Sequence, residues 1–136
     1  MFAALKRFTP LLILLGDLIA LLLFVYIGQR DHGLVDAESP LQGLLWASWA
    51  FALVWVIAAA LLRALPEAAT LSARVLLANG LNAWLVAAPL GVLLRAYFLG
   101  RAVIPTSFLA ATLAFGGLFV LGWRLLFVLL WKTTKQ

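Results

Sequence analysis

Two charged side chains stand inside apolar runs of this sequence: Asp17, seven residues past Pro10, and Arg124, eight residues before Lys132. At 1.5 Å per helical residue their depths are roughly 10 Å and roughly 12 Å, so on antiparallel helices the two can meet. A carboxylate in hydrocarbon must be protonated, paired or open to an aqueous cavity. Three chemistries answer that requirement. One is a fixed intramembrane pair that ties the first helix to the fourth. Another is transport or proton transfer by a titrating Asp17. In the third, a hydrogen bond holds Asp17 neutral while Arg124 snorkels toward the interface. The matched depths favour the fixed pair.

Asn79, Ala83, Ala87, Gly91 and Arg95 recur every four residues and draw a small and polar stripe along one helix face, with Asn82 on an adjacent line. Small side chains permit close backbone approach and asparagine can hydrogen-bond across an apolar interface, so tight packing accounts for the stripe. The same polar groups would also serve a transport path. Pro89 removes an amide donor and frees the carbonyl of Leu85, which predicts a bend. Ala110, Ala114 and Gly117, with Gly43 and Ala47, present further small surfaces suited to packing or dimerisation.

His32 is the one histidine, in the segment Gly28-Gln29-Arg30-Asp31-His32-Gly33. With Asp31 it forms a candidate outer-loop site, for which ordinary loop hydrogen bonding is favoured over proton or partner sensing and over metal or pigment ligation. Asp31, Asp36 and Glu38 crowd the same loop without ligand spacing, and there is no cysteine, so no metal site is expected. The sequence holds no Ser/His/Asp arrangement, glycine-rich phosphate loop or hydrolytic carboxylate pair, which points to a non-enzymatic protein. Cofactors stay open: aromatic surface can take a pigment or quinone, but the six tryptophans are expected as anchors and filler, with Trp131, Trp46 and Trp49 toward the interfaces and Trp55 and Trp84 deeper.

The elements that position these residues are four apolar runs, 10–28, 40–62, 71–94 and 105–131, each near the roughly 20 residues that cross hydrocarbon. A mean hydropathy of +1.13, with 66% hydrophobic and 11% charged residues, suits lipid rather than water as solvent. The expected fold is all-α: one integral membrane domain, a four-transmembrane-helix bundle with short loops. Lys6 and Arg7 precede the first run, yet its length, Asp17 and the lack of a small-x-small site before Gln29 predict a retained helix rather than a cleaved signal. Thr9-Pro10 reads as an N-cap with a first-turn proline. Ser39-Pro40-Leu41-Gln42 reads as a capping box, and Pro105 as the opening of the fourth helix.

With four spans the termini share a side. Lys6, Arg7, Arg63, Arg74, Lys132 and Lys135 fall to the cytoplasm and Arg30, Arg95 and Arg101 outside, which predicts both termini in. Although the net charge is +5, its ten Lys and Arg lie scattered at helix ends rather than gathered on a groove-sized surface, so nucleic acid is not an expected partner.

Several segments together resemble the DUF3054 family of small prokaryotic membrane proteins: Gly16-Asp17 with Leu22-Leu23-Phe24 and Ile27-Gly28, His32-Gly33, Pro89-Leu90-Gly91 with Arg95, and Pro105-Thr106-Ser107-Phe108 through Leu121-Gly122-Trp123-Arg124. Trp49-Ala50-Phe51 departs from the family, which has a Trp-Pro-Phe segment there. The resemblance implies a four-helix protein of the cytoplasmic membrane and directs attention to Asp17, His32, Arg95 and Arg124; it implies no activity or ligand. The function expected is a structural or accessory membrane subunit, with the lipid bilayer around it, self-associating or part of a larger membrane complex. The competing expectation is a small transporter or proton conductor using Asp17 and the stripe from Asn79 to Arg95.

Overall fold

The computed structural model describes residues 1–134, so Lys135, counted above toward topology, lies outside the described residues. A short helix α1 (Phe2–Arg7) leads into α2 (Thr9–Asp31); α3 (Pro40–Leu61), α4 (Val75–Phe98) and α5 (Thr106–Thr133) follow. All regular structure among the described residues is helical, and α2 to α5 are long and apolar enough to cross a bilayer. Backbone groups in hydrocarbon must be satisfied within the segment, and unbroken helices do that. Each long helix packs on two others, closing a ring α2–α3–α4–α5, with α3 and α4 in the most extensive contact.

The four spanning-length helices fall on the four apolar runs with different end residues. The third moves furthest, to Val75–Phe98 rather than 71–94, and the Ser72 hydroxyl accepts from the Val75 amide at 3.1 Å just ahead of it. Arg95 therefore sits within the helix rather than beyond it. Thr9 is not an N-cap: its hydroxyl donates back to the carbonyls of Lys6 (2.9 Å) and Leu5 (3.3 Å), which ties α1 to α2. Nor does Ser39-Pro40-Leu41-Gln42 form a capping box, since no side chain caps α3. Asp36 does the organising instead, its Oδ1 accepting from the amides of Glu38 (2.9 Å) and Ser39 (3.2 Å), a local turn natural to aspartate. Pro105 does precede the fourth span. Helix α4 continues through Pro89 and α3 through Trp49-Ala50-Phe51.

Three helices end alike. The amides of Gly33 and Leu34 return to the carbonyls of Arg30 and Gln29, those of Arg63 and Ala64 to Ala60 and Ala59, and those of Gly100 and Arg101 to Tyr97 and Ala96. Each pair is a Schellman closure around a left-handed residue. Glycine supplies it at Gly33 (φ 65°) and Gly100 (φ 64°), whereas Arg63 adopts φ 54° despite its Cβ.

The core is organised by large side chains set into small ones. Trp55 and Trp84 are fully buried with ring centroids 6.0 Å apart, while Trp46 lies exposed toward the start of α3. Ala83, Ala87 and Gly91 of the stripe are all buried, and a Cβ on Gly91 would stand 2.6 Å from the Phe51 ring. Close approach of α3 and α4 requires that glycine. On α5 the expected small surface holds only at Gly117: Ala110 and Ala114 are exposed, and Gly116 and Gly117 form the notch that receives Trp84. Both α4 and α5 contain one π-helical turn, Val75–Asn79 and Thr112–Gly116. In each, a carbonyl accepts a side-chain donor from another helix: Leu76 from Arg124 at 3.0 Å, Leu113 from the Trp84 indole at 3.0 Å. Such insertion is a recognised companion of local widening in a helix.

Candidate functional site

Asp17 and Arg124 meet. The guanidinium and the carboxylate form a two-pronged fork, Nε to Oδ1 at 2.9 Å and Nη2 to Oδ2 at 2.6 Å, the geometry in which arginine binds carboxylate most strongly. Both side chains are completely enclosed. Asp17 comes from the third turn of α2 and Arg124 from the C-terminal half of α5, which runs antiparallel beside it.

Further donors converge on the pair. Nη1 of Arg124 donates to the carbonyls of Ala64 (2.8 Å) and Leu76 (3.0 Å), and Trp55 Nε1 donates to Asp17 Oδ2 at 3.3 Å. The Trp55 ring also lies 5.3 Å from the guanidinium carbon, a cation–π distance. Arginine has five N–H donors and no acceptor, and four of them are engaged here. In an apolar interior this satisfaction is what allows a charge pair to persist. Ala64 reaches the guanidinium because the left-handed Arg63 turns the chain back into the bundle after α3. Asn79 secures the same turn, its Nδ2 donating to the Arg63 carbonyl at 3.0 Å. Gly80 gives the guanidinium room, since a Cβ there would stand 2.9 Å from Arg124 Cδ and Nη1.

The other residues singled out in the sequence separate from this centre. Asn79 is half-buried beside it; Asn82, expected in the polar site, is exposed. The 100° step from the buried Ala83 turns Asn82 out of the α3–α4 contact to the outside of the bundle. Arg95 lies half-buried at the other end of α4, its guanidinium carbon 5.5 Å above the Phe108 ring. His32 and Asp31 are exposed at the C-terminus of α2, on that same end. Among the described residues no three His, Asp or Glu side chains gather closely enough to hold a metal ion.

Trp55, Ala64, Leu76 and Gly80 were not marked by sequence reasoning. Two of them act through backbone carbonyls, which carry no residue-type signal. Trp55 looks like any buried aromatic in sequence; only its indole N–H distinguishes it. Gly80, one position past Asn79, was legible as a small residue but lies off the four-residue stripe.

All six members of this centre, Asp17, Trp55, Ala64, Leu76, Gly80 and Arg124, fall within residues 14–127, the segment that matches the family described as Protein of unknown function (DUF3054). The chain belongs to that family. No curated protein and no solved structure matches it. The DUF3054 match begins after Lys6 and Arg7 and stops before Lys132, so it covers the helical body with its polar centre and leaves out the basic flanks. What the centre can do chemically follows from its enclosure. A carboxylate already bound to a fixed guanidinium and an indole is a poor proton carrier, because releasing it strands a buried cation.

Proposed function

We propose that this DUF3054 protein is a non-enzymatic subunit of the prokaryotic cytoplasmic membrane, with both termini in the cytoplasm, that self-associates or joins a larger membrane complex. The observation that carries the reading is the complete enclosure of Asp17 and Arg124. The one ion pair among the described residues joins α2 to α5 and to the turn after α3, as a structural part would. Long apolar faces remain outside, including Leu11, Leu15, Ile19 and Leu23 at four-residue spacing along α2, and such faces serve lipid or neighbouring helices. Catalysis and nucleic-acid binding are not part of this role, and the bilayer is its constant partner.

Reconstitution tests the reading against transport. Wild type and the joint variant Asp17→Leu/Arg124→Met, compared at equal folded protein in liposomes under a pH gradient and with a panel of solutes, are expected to show the same background flux. A robust wild-type flux that disappears in a stably folded joint variant would assign transport instead. Purification in mild detergent is expected to retain a defined oligomer or partner; a strictly monomeric chain that copurifies with nothing counts against the subunit role.

A further inference from the structure

Two adjoining cavities, each about 270 Å³, lie at the end of the bundle opposite the termini and share His32, Leu34, Arg95 and Phe108 in their walls. We propose that they form one binding site for an anionic membrane phospholipid, with Arg95 and Arg101 holding the headgroup phosphate and one acyl chain lying against Phe24, Phe51, Phe115 and Phe119. The inference is independent of whether the protein is a structural subunit.

Three observations converge on this ligand. Arg95 is a half-buried cation in a membrane helix, yet among the described residues it has neither a carboxylate within ion-pair distance nor a hydrogen-bond acceptor for its side chain. Phe108 underlies the guanidinium at 5.5 Å and holds it in place without neutralising it. An unpaired charge at this position is costly unless something outside the protein supplies the anion. Depth selects the source. Arg95 stands three residues before the end of α4 at Phe98, about 4.5 Å below it at helical rise, which is the level of phosphates and glycerol rather than of bulk water. Arg101 adds a second cation at the rim of the first cavity.

The walls select an amphiphile rather than a free anion. The four phenylalanines lie in the second cavity, behind Arg95, and a small inorganic anion would leave that apolar space unused. Asp31 and His32 also line this region. With two arginines against one aspartate the mouth is net positive when His32 is neutral, which favours an anionic headgroup over a zwitterionic one.

The test is lipid retention by the full chain, delipidated in mild detergent and offered phosphatidylglycerol, phosphatidylcholine or inorganic phosphate, read by native mass spectrometry and by the shift in thermal unfolding. Wild type is expected to retain one phosphatidylglycerol at concentrations where phosphatidylcholine is lost, and R95Q to bind it at least tenfold more weakly. R74Q, at the opposite end and exposed, is expected to bind as wild type does. A47F, which fills the second cavity from α3 and keeps both arginines, is expected to lose the lipid too, and it carries the test if R95Q does not fold. Equal retention of the two lipids, unaltered affinity in R95Q, or full affinity in A47F would overturn the proposal. Protection by inorganic phosphate alone equal to that by phosphatidylglycerol would assign the site to a free anion and overturn it as well.

Discussion

At the scale of single residues, the energetics of the bundle turn on what each charge would lose if its partner were removed. Asp17→Ala leaves Arg124 enclosed with only the Ala64 and Leu76 carbonyls. The expected destabilisation is about 3–5 kcal/mol, visible as lost folded yield and an earlier unfolding transition in detergent. Asp17→Leu/Arg124→Met removes both charges and is expected to regain most of that stability, so the cycle of single and joint variants should show strong coupling. Additive losses would mean that the fork contributes little. Trp55→Phe deletes one hydrogen bond to Asp17 Oδ2 and leaves the fork, with an expected cost of about 1 kcal/mol. Gly80→Ala pushes a methyl group against Arg124 Cδ and Nη1; its cost should shrink when Arg124→Met is also present, because the shorter, flexible thioether can move aside. An equal cost in both backgrounds would place the conflict elsewhere.

At the scale of elements, the ends of α2, α3 and α4 share one closure, and one of the three lacks the glycine. Gly33 and Gly100 adopt a left-handed conformation without steric cost, but Arg63 does so at φ 54°, against a penalty of roughly 1–2 kcal/mol for an L side chain. The strain is held because Ala64 and Arg63 are each bonded from the bundle, by Arg124 and Asn79. Arg63→Gly keeps both carbonyls and removes the Cβ conflict. It is expected to raise stability by about 0.5–1 kcal/mol, while Gly100→Ala lowers it by about 1 kcal/mol; parallel thermal unfolding of the two variants checks both signs. A destabilised Arg63→Gly would show that the arginine side chain contributes more than its backbone strain costs.

At the scale of the whole molecule, four antiparallel helices put the termini and the α3–α4 turn at one end, and the α2–α3 and α4–α5 connections at the other. The basic residues then decide orientation. Reporter fusions at Met1, Ala68 and the C-terminus are expected inside, and fusions at Ser39 and Gly100 outside. An external C-terminus would reverse the proposed topology. The two ends also divide the polar chemistry: the neutralised pair lies nearer the termini, and the unneutralised Arg95 lies opposite. That asymmetry is a property of the assembled bundle, since the sequence shows Arg124 inside an apolar run and Arg95 just past one but not which of them has a partner.

Much of this was legible from residue type and spacing. Hydrocarbon imposes a length and an apolar composition on any spanning helix, so four helices follow from the runs themselves. Matched depth brought Asp17 toward Arg124, because distance along a helix converts directly into depth. The short-range caps read less well: Thr9 donates to α1, and Asp36 rather than Ser39 organises the start of α3, since several nearby side chains can satisfy the same amides. Rotation about each helix axis was the main quantity that only tertiary packing decided. It turned Asn82 to the outside of the bundle, drew Trp55 onto Asp17 and left Arg95 above Phe108. Helices surrounded by lipid are apolar on nearly every face, so no amphipathic contrast records in advance which face turns inward. The carbonyls of Ala64 and Leu76 were hidden for a further reason: every residue has one, and the fold alone determines which are presented to a buried guanidinium.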